Sequence, residues 1–342
     1  MSSRRVFVAY TGGTLGMKKT PEGYAPVSGY LQGLMDSIAD LHHPDVPQWE
    51  VKEFDPLLDS ANMAPSDWAR IAHAIEARYD EFDGFVVIHG TDTMAYSASA
   101  LSFMLEGLAK PVILTGSQIP LAELRSDARD NLLAALLLAG NYAIPEVCIY
   151  FGNSLFRGNR TRKVSTGALD AFASPNYPLL GTVGVDIQVY HHRLLEAPPP
   201  GNPLTVPRLS DPHIAAVRLF PGITADTLRN FLRAPLRGLV LETYGAGNGP
   251  VRNQAFLDTL EEAIQRGVVI VNCTQCHQGT VHPQAYATGR GLAKIGVISG
   301  GDMTAEAALA KLYYLFGKGN PYEIVMGQIS FAVCGELLLN PR

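Results

Sequence analysis

Apolar residues fall along this chain in short unbroken runs, separated by stretches in which they recur at helical spacing. Residues 6–10 (VFVAY), 84–89 (GFVVIH), 111–115 (PVILT) and 146–151 (EVCIYF) predict buried strands. Between the first two runs, Trp68, Ile71, Ala72, Ile75, Tyr79 and Phe82 mark one face of a helix over residues 66–82. Further helices are expected at 94–107 and 127–139. The second half repeats the rhythm. Strands are expected at 214–220, 238–243, 268–272 and 293–298, with helices between the first two, at 256–266 and at 304–316. Strands that are apolar throughout and alternate with helices imply parallel sheets covered on both faces. In such sheets ligands bind beyond the carboxyl ends of the strands, so chemistry is expected in the loops that follow them.

At 342 residues the chain suits two domains of this kind. Residues 194–213 (LLEAPPPGNPLTVPRLSDPH) carry six prolines, which fix φ and lack a donor, so neither helix nor central strand can run through them. That segment is the expected linker between a catalytic domain at 1–193 and a second domain at 214–342. A net charge of -5 leaves no basic footprint for nucleic acid. The longest apolar stretch, residues 132–139, falls far short of the ~20 residues of a membrane span. The first apolar run has five residues, below the roughly seven to fifteen of a secretion signal. With four cysteines and no such signal, reduced thiols and a cytoplasmic location are expected.

Two of the loops that follow strands share a composition: Thr11-Gly12-Gly13-Thr14 and Gly90-Thr91-Asp92-Thr93. Each sets threonine hydroxyls beside glycines that let the backbone approach a ligand and aim N–H groups at it. A hydroxyl nucleophile near oxyanion donors is the basic equipment of acyl transfer. Gly-Thr turns also end strands and cap helices, and composition alone leaves both readings open.

TGGTLG at residues 11–16 and HGTDTM at 89–94 resemble the two signature segments of type I and type II asparaginases. The likeness continues through KPVILTGSQIP (110–120), SDARDNL (126–132), RGNRTRK (157–163), TYGAGNGP (243–250) and GGDMTAEAALAKL (300–312). The wording SQIP and SDARDN favours the bacterial cytoplasmic type I branch. The resemblance implies an α/β fold of two domains, each a mainly parallel sheet covered by helices: the larger N-terminal one flavodoxin/Rossmann-like, the smaller C-terminal one Rossmann-like. It implies hydrolysis of L-asparagine to L-aspartate and ammonia through a covalent acyl-enzyme, without metal or organic cofactor.

On that resemblance Thr14 is the nucleophile, and Tyr24, in the polar segment 18–26, is the lid residue that activates or orients it. Thr91, Asp92 and Lys163 form a second catalytic cluster. Asp59 and Ser60 hold the ends of the substrate, with Thr91, Asp92 and Ser117 also in the binding set. Asn248 reaches the site from a neighbouring subunit, which implies a homodimer or a dimer of dimers. Asp92 would favour a charged Lys163 while burial would oppose it, so base or polarising cation both stand at this point. Arg162 and Glu242 fall where some type I enzymes bind an activating asparagine. They are expected either to pair and weaken such binding or to be unrelated surface charges.

Other patterns carry less. Cys273-Thr274-Gln275-Cys276-His277 spells a haem-attachment motif, but it follows a buried strand with no export signal, and core or loop thiols are the better reading. Gly245-Ala246-Gly247-Asn248-Gly249-Pro250 misplaces the third glycine of a dinucleotide fingerprint. His89, at a strand end, reads as a satisfied core histidine that could also orient the Thr91 loop. The remaining alternatives are an asparaginase-like, ammonia-donating amidotransferase subunit, a nicotinamide-dependent dehydrogenase and a non-catalytic amino-acid sensor. Such amidotransferase subunits carry an extra N-terminal domain. A sensor has no need of Thr14, Thr91, Asp92 and Lys163 together.

Overall fold

The computed structural model describes residues 4–21, 23–284 and 287–338. Contacts divide the chain into two compact units, 1–206 and 207–342. Both are α/β. Residues 194–213 form neither helix nor strand. Their backbone is nevertheless pinned, with Leu195 N–H on Glu146, Thr205 paired with Glu106, and Ser210 N–H on the Gly317 carbonyl.

In the first unit, strands Gln48–Leu58, Arg5–Gly12, Gly84–Ile88, Val112–Thr115 and Val147–Phe151 lie side by side and parallel, in that spatial order. The order, 2-1-3-4-5 in chain sequence, is the flavodoxin-like one. Antiparallel strands Ser154–Arg157, Gly181–Val183 and Ile187–Val189 extend the far edge. The central strands are buried residue after residue. Helices Pro65–Glu76, Met94–Met104 and Ala128–Asn141 pack against the sheet. Val6, Val8 and Tyr10 share a core with Val86, Ile88, Ile113, Leu132 and Leu136. The chain reverses its winding at Arg5–Gly12, so the loops after that strand and after Gly84–Ile88 leave the sheet at its topological switch point.

The second unit carries four parallel strands in chain order: Ile214–Arg218, Gly238–Thr243, Val269–Thr274 and Ile298–Ser299. Leu239, Leu241, Phe256, Leu260 and Ile270 fill its core.

Several expectations need correction. The helix expected over 66–82 stops at Glu76, and Tyr79–Glu81 is a separate 3-10 turn. Tertiary contacts override the periodicity there. The Tyr79 ring stacks on Phe85 at 5.7 Å, and its hydroxyl accepts the Ala109 and Lys110 N–H groups. The strand expected at 293–298 is mostly helix end and turn: Ala287–Lys294 is helical, Gly296 has φ 98°, and only Ile298–Ser299 pairs with the sheet. A short apolar run does not by itself separate the two states. The long strand Gln48–Leu58 went unread because its residues (QWEVKEFDPLL) are partly exposed along an edge and form no apolar run.

Candidate active site

The two Gly-Thr loops meet. A Cβ on Gly13, whose φ is 92°, would lie 2.4 Å from the Gly90 nitrogen, and one on Gly90 would lie 2.4 Å from the Ser60 Oγ. Only glycine at both positions lets the three loops stack this closely. The Thr11 hydroxyl donates to the Ile88 carbonyl at 3.0 Å, joining the strand ends. The Thr93 hydroxyl donates to the Ser60 carbonyl at 2.8 Å.

Around this junction lies a cavity of about 320 Å³, lined by Gly13, Thr14, Met17, Tyr24, Asp59, Ser60, Gly90, Thr91, Asp92, Gln118, Lys163 and Thr166. That volume suits a small metabolite. Seven residues singled out in the sequence therefore share one wall system: Thr14, Tyr24, Asp59, Ser60, Thr91, Asp92 and Lys163. Thr14 opens the 3-10 turn Thr14–Gly16 and is half-buried. Its hydroxyl has no hydrogen-bond partner among the described residues, which leaves it available to a ligand.

Lys163, half-buried on the two-residue strand Arg162–Lys163, reaches back to the second loop. Its Nζ donates to Thr91 Oγ1 at 2.8 Å and to Asp92 Oδ1 at 2.6 Å. Thr91 is buried while the Asp92 side chain is largely open. Gln118 completes the cluster. Its Nε2 donates to the Ala168 carbonyl at 3.1 Å, which turns its Oε1 toward Thr91 Oγ1 at 3.4 Å.

Asp59 caps the 3-10 turn Ser60–Asn62, its Oδ1 accepting the Ala61 N–H at 3.0 Å, so capping and pocket lining coincide in one carboxylate. The segment 18–26 belongs to a β-hairpin of Met17–Thr20 and Gly23–Pro26, with Lys19 opposite Tyr24; its residue 22 lies outside the described residues. The Tyr24 phenol is exposed, and the Glu123 carboxylate raises its pKa.

Ser117 is not among the lining residues; it is 1% exposed and its hydroxyl has no partner among the described residues. The next residue, Gln118, presents its side chain to the cavity instead. Asn248 belongs to the second unit, in the bend after Gly238–Thr243, where its Oδ1 accepts the Thr288 hydroxyl at 2.6 Å. Gln118, Thr166, Met17 and Glu123 were not picked out from the sequence. Gln118 stood inside the TGSQIP segment and was within reach, whereas Thr166 and Glu123 carry no local signal.

Threonine hydroxyls from two post-strand loops, set around a small polar cavity at the switch point of a flavodoxin-like sheet, place the protein among α/β proteins that handle small polar molecules. Family models narrow this. The asparaginase N-terminal domain matches residues 5–195, and the glutaminase/asparaginase C-terminal domain matches residues 213–326. The chain belongs to the asparaginase family. It is 51% identical to L-asparaginase 1 of Escherichia coli (strain K12), over 98% of this chain and 99% of that one. It also superimposes on the crystal structure of L-asparaginase I from Vibrio cholerae with a TM-score of 0.91, at 46% identity, covering 99% of this chain and 100% of that one. The thermostable L-asparaginase of Thermococcus kodakarensis matches with a TM-score of 0.88 at 36% identity, over 98% and 100% of the two chains.

Proposed function

We propose that this protein hydrolyses L-asparagine to L-aspartate and ammonia, with Thr14 as the nucleophile. The observation that carries the reading is the Thr14 hydroxyl, without a partner among the described residues, on the wall of a cavity that also holds the Lys163–Thr91–Asp92 cluster. The names of its relatives in Escherichia coli and Vibrio cholerae support the same substrate.

In the proposed reaction Thr14 Oγ attacks the side-chain amide carbon of asparagine. The C–N bond breaks, the threonine proton leaves with the nitrogen as ammonia, and an ester to Thr14 remains. Water then cleaves that ester, giving aspartate and restoring the hydroxyl. Backbone N–H groups of the two glycine loops stabilise the oxyanion that forms in each half. Lys163, Thr91 and Asp92 move the protons of the amide and the water. Asp59 and Ser60 hold the amino and carboxylate ends of the substrate, and the Tyr24 hairpin closes over it. Asn248 completes the site from a neighbouring copy of the chain, so the working assembly is at least a dimer. The proline-rich segment 194–213 joins the catalytic unit to the second one.

Ammonia release from asparagine by the purified protein and by Thr14→Ala tests this reading. Loss of the nucleophile is expected to lower kcat by about a thousandfold or more while the variant remains folded. A Thr14→Ala enzyme that turns over normally would remove Thr14 from the mechanism, and a wild-type protein releasing no ammonia would remove the activity.

A further inference from the structure

His89 directly follows the strand Gly84–Ile88, at the start of the loop that supplies Thr91, and it is completely buried. It makes the last two of three hydrogen bonds that run in series. Trp68 Nε1 lies 3.0 Å from Ser97 Oγ, Ser97 Oγ lies 2.8 Å from His89 Nε2, and His89 Nδ1 lies 2.7 Å from the Gly90 carbonyl oxygen. An indole N–H can only donate, so Ser97 Oγ accepts from Trp68; a neutral ring protonated at Nδ1 leaves Nε2 bare, and Ser97 turns its own hydrogen there. A carbonyl oxygen can only accept, so His89 Nδ1 carries the imidazole proton.

Trp68 comes from the helix Pro65–Glu76 and Ser97 from the helix Met94–Met104. Two helices and a strand thus converge on one peptide plane, the one joining Gly90 to Thr91. That peptide bond is trans, so its C=O and N–H point in opposite directions. With the carbonyl turned inward to His89, the Thr91 N–H is turned outward, on the side of the cavity that Gly90 and Thr91 line.

We propose that His89 is a positioning residue for the hydrolysis: as the neutral Nδ1–H tautomer, its Nε2 held by Ser97, it locks the Gly90–Thr91 peptide so that its N–H faces the substrate. This rests on the asparaginase reading above and deepens it. Burial supports the neutral form, since it pushes the imidazole down to about 4; the Gly90 carbonyl and the Asp67 carboxylate act the other way and more weakly. A proton on both ring nitrogens would keep the bond to Gly90 but turn the Ser97 hydrogen away from Nε2. The Nε2–H tautomer would set the Nδ1 lone pair against the Gly90 oxygen and release the peptide plane.

The test uses the full-length enzyme and three variants. Leucine at this position (His89→Leu) removes the donor, asparagine (His89→Asn) restores an N–H near the place of Nδ1, and Ser97→Ala removes the partner of Nε2. An aligned amide donor acts mainly on the transition state, so His89→Leu is expected to lower kcat about tenfold to a hundredfold with KM changed little. His89→Asn should recover most of that loss, and Ser97→Ala should fall between. Nitrogen-15 NMR of the wild-type imidazole should show Nδ1 protonated and Nε2 bare from pH 6 to pH 8. A folded His89→Leu enzyme with unchanged kcat, an asparagine variant no better than leucine, or an Nε2-protonated ring would each overturn the proposal. The NMR measurement decides even if the leucine variant does not fold. Wild-type protein without ammonia release would instead sink the asparaginase reading alone.

Discussion

A buried histidine that stays neutral leaves a mark on stability that a surface one does not. His89 has an ordinary pKa of 6.5 and is pushed down to about 4 in the fold, burial being the main cause. Above pH 6.5 both folded and unfolded chains carry it neutral, and its contribution is flat. As pH falls from 6.5 toward 4, the unfolded chain takes up a proton that the folded one refuses, so stability declines. The loss levels off below pH 4 and amounts to about 3 kcal/mol in all, from a shift of ~2.5 units at 1.36 kcal/mol each. Carboxylates titrate in the same window, so the comparison is with His89→Asn. Equilibrium urea unfolding should show wild type losing about 3 kcal/mol more than the variant between pH 7.5 and pH 4. Parallel losses would show that His89 is not held neutral. The same residue marks how far single positions could be read from sequence. Its place at a strand end was legible, but its ordering by Trp68 and Ser97 was not, because those lie 21 positions before and 8 after it. Thr14, Asp59 and Lys163 were legible only because each stands in a recognisable segment. Taken alone, each is an ordinary cap or loop residue, as the Asp59 cap on Ser60–Asn62 shows.

The strand that precedes Arg162–Lys163 in the chain carries a buried ion pair. Arg157 Nε meets Glu146 Oε2 at 2.6 Å, with side chains only 5% and 2% exposed. Glu146 also accepts the Leu195 N–H, while Arg157 donates to the Arg193 carbonyl and lies 4.3 Å over the Tyr177 ring. The pair thereby ties the antiparallel strands Val147–Phe151 and Ser154–Arg157 to residues 193–195, a few positions ahead of Arg162–Lys163. Neutralising one member leaves the other charge buried and uncompensated, so Glu146→Gln should destabilise by about 3–5 kcal/mol. Desolvation offsets much of the pair's Coulomb attraction. The double variant Glu146→Gln/Arg157→Met should therefore be more stable than Glu146→Gln. Thermal or urea unfolding measures both, and a double variant as weak as the single would show that the guanidinium is not the source of the cost. Elements of this kind are also where sequence reading stopped. The parallel strands announced themselves as apolar runs because both of their faces are covered. The strand Ile187–Val189 and the edge strand Gln48–Leu58 are partly exposed, and their mixed patterns resemble loops; Ser154–Arg157 is largely buried but only four residues long.

At the scale of the assembly, the chemistry of the first unit and the asparagine of the second pose a question about which copy serves which. Every residue lining the cavity lies within residues 13–166, whereas Asn248 follows the strand Gly238–Thr243 and is tied to Thr288 by its side chain. If Asn248 completes the site of a neighbouring copy, two crippled chains can repair each other. Thr14→Ala subunits lack the nucleophile but carry Asn248; Asn248→Ala subunits carry the nucleophile but lack Asn248. In a mixed dimer one site then receives both defects and the other receives none. Random reassociation of equal amounts makes about half of the dimers mixed, and half of the sites in those are intact, so roughly a quarter of wild-type activity should return. If Asn248 serves its own chain, every site in the mixture stays defective, and the activity is the plain average of the two parent variants. Mixing the purified variants under mild dissociation, then measuring ammonia release after reassociation, separates the two outcomes. Further pairing of dimers into four would leave the readout unchanged, because the count concerns only the two chains proposed to share a site. Activity at the level of the parental average would return Asn248 to a role within its own chain.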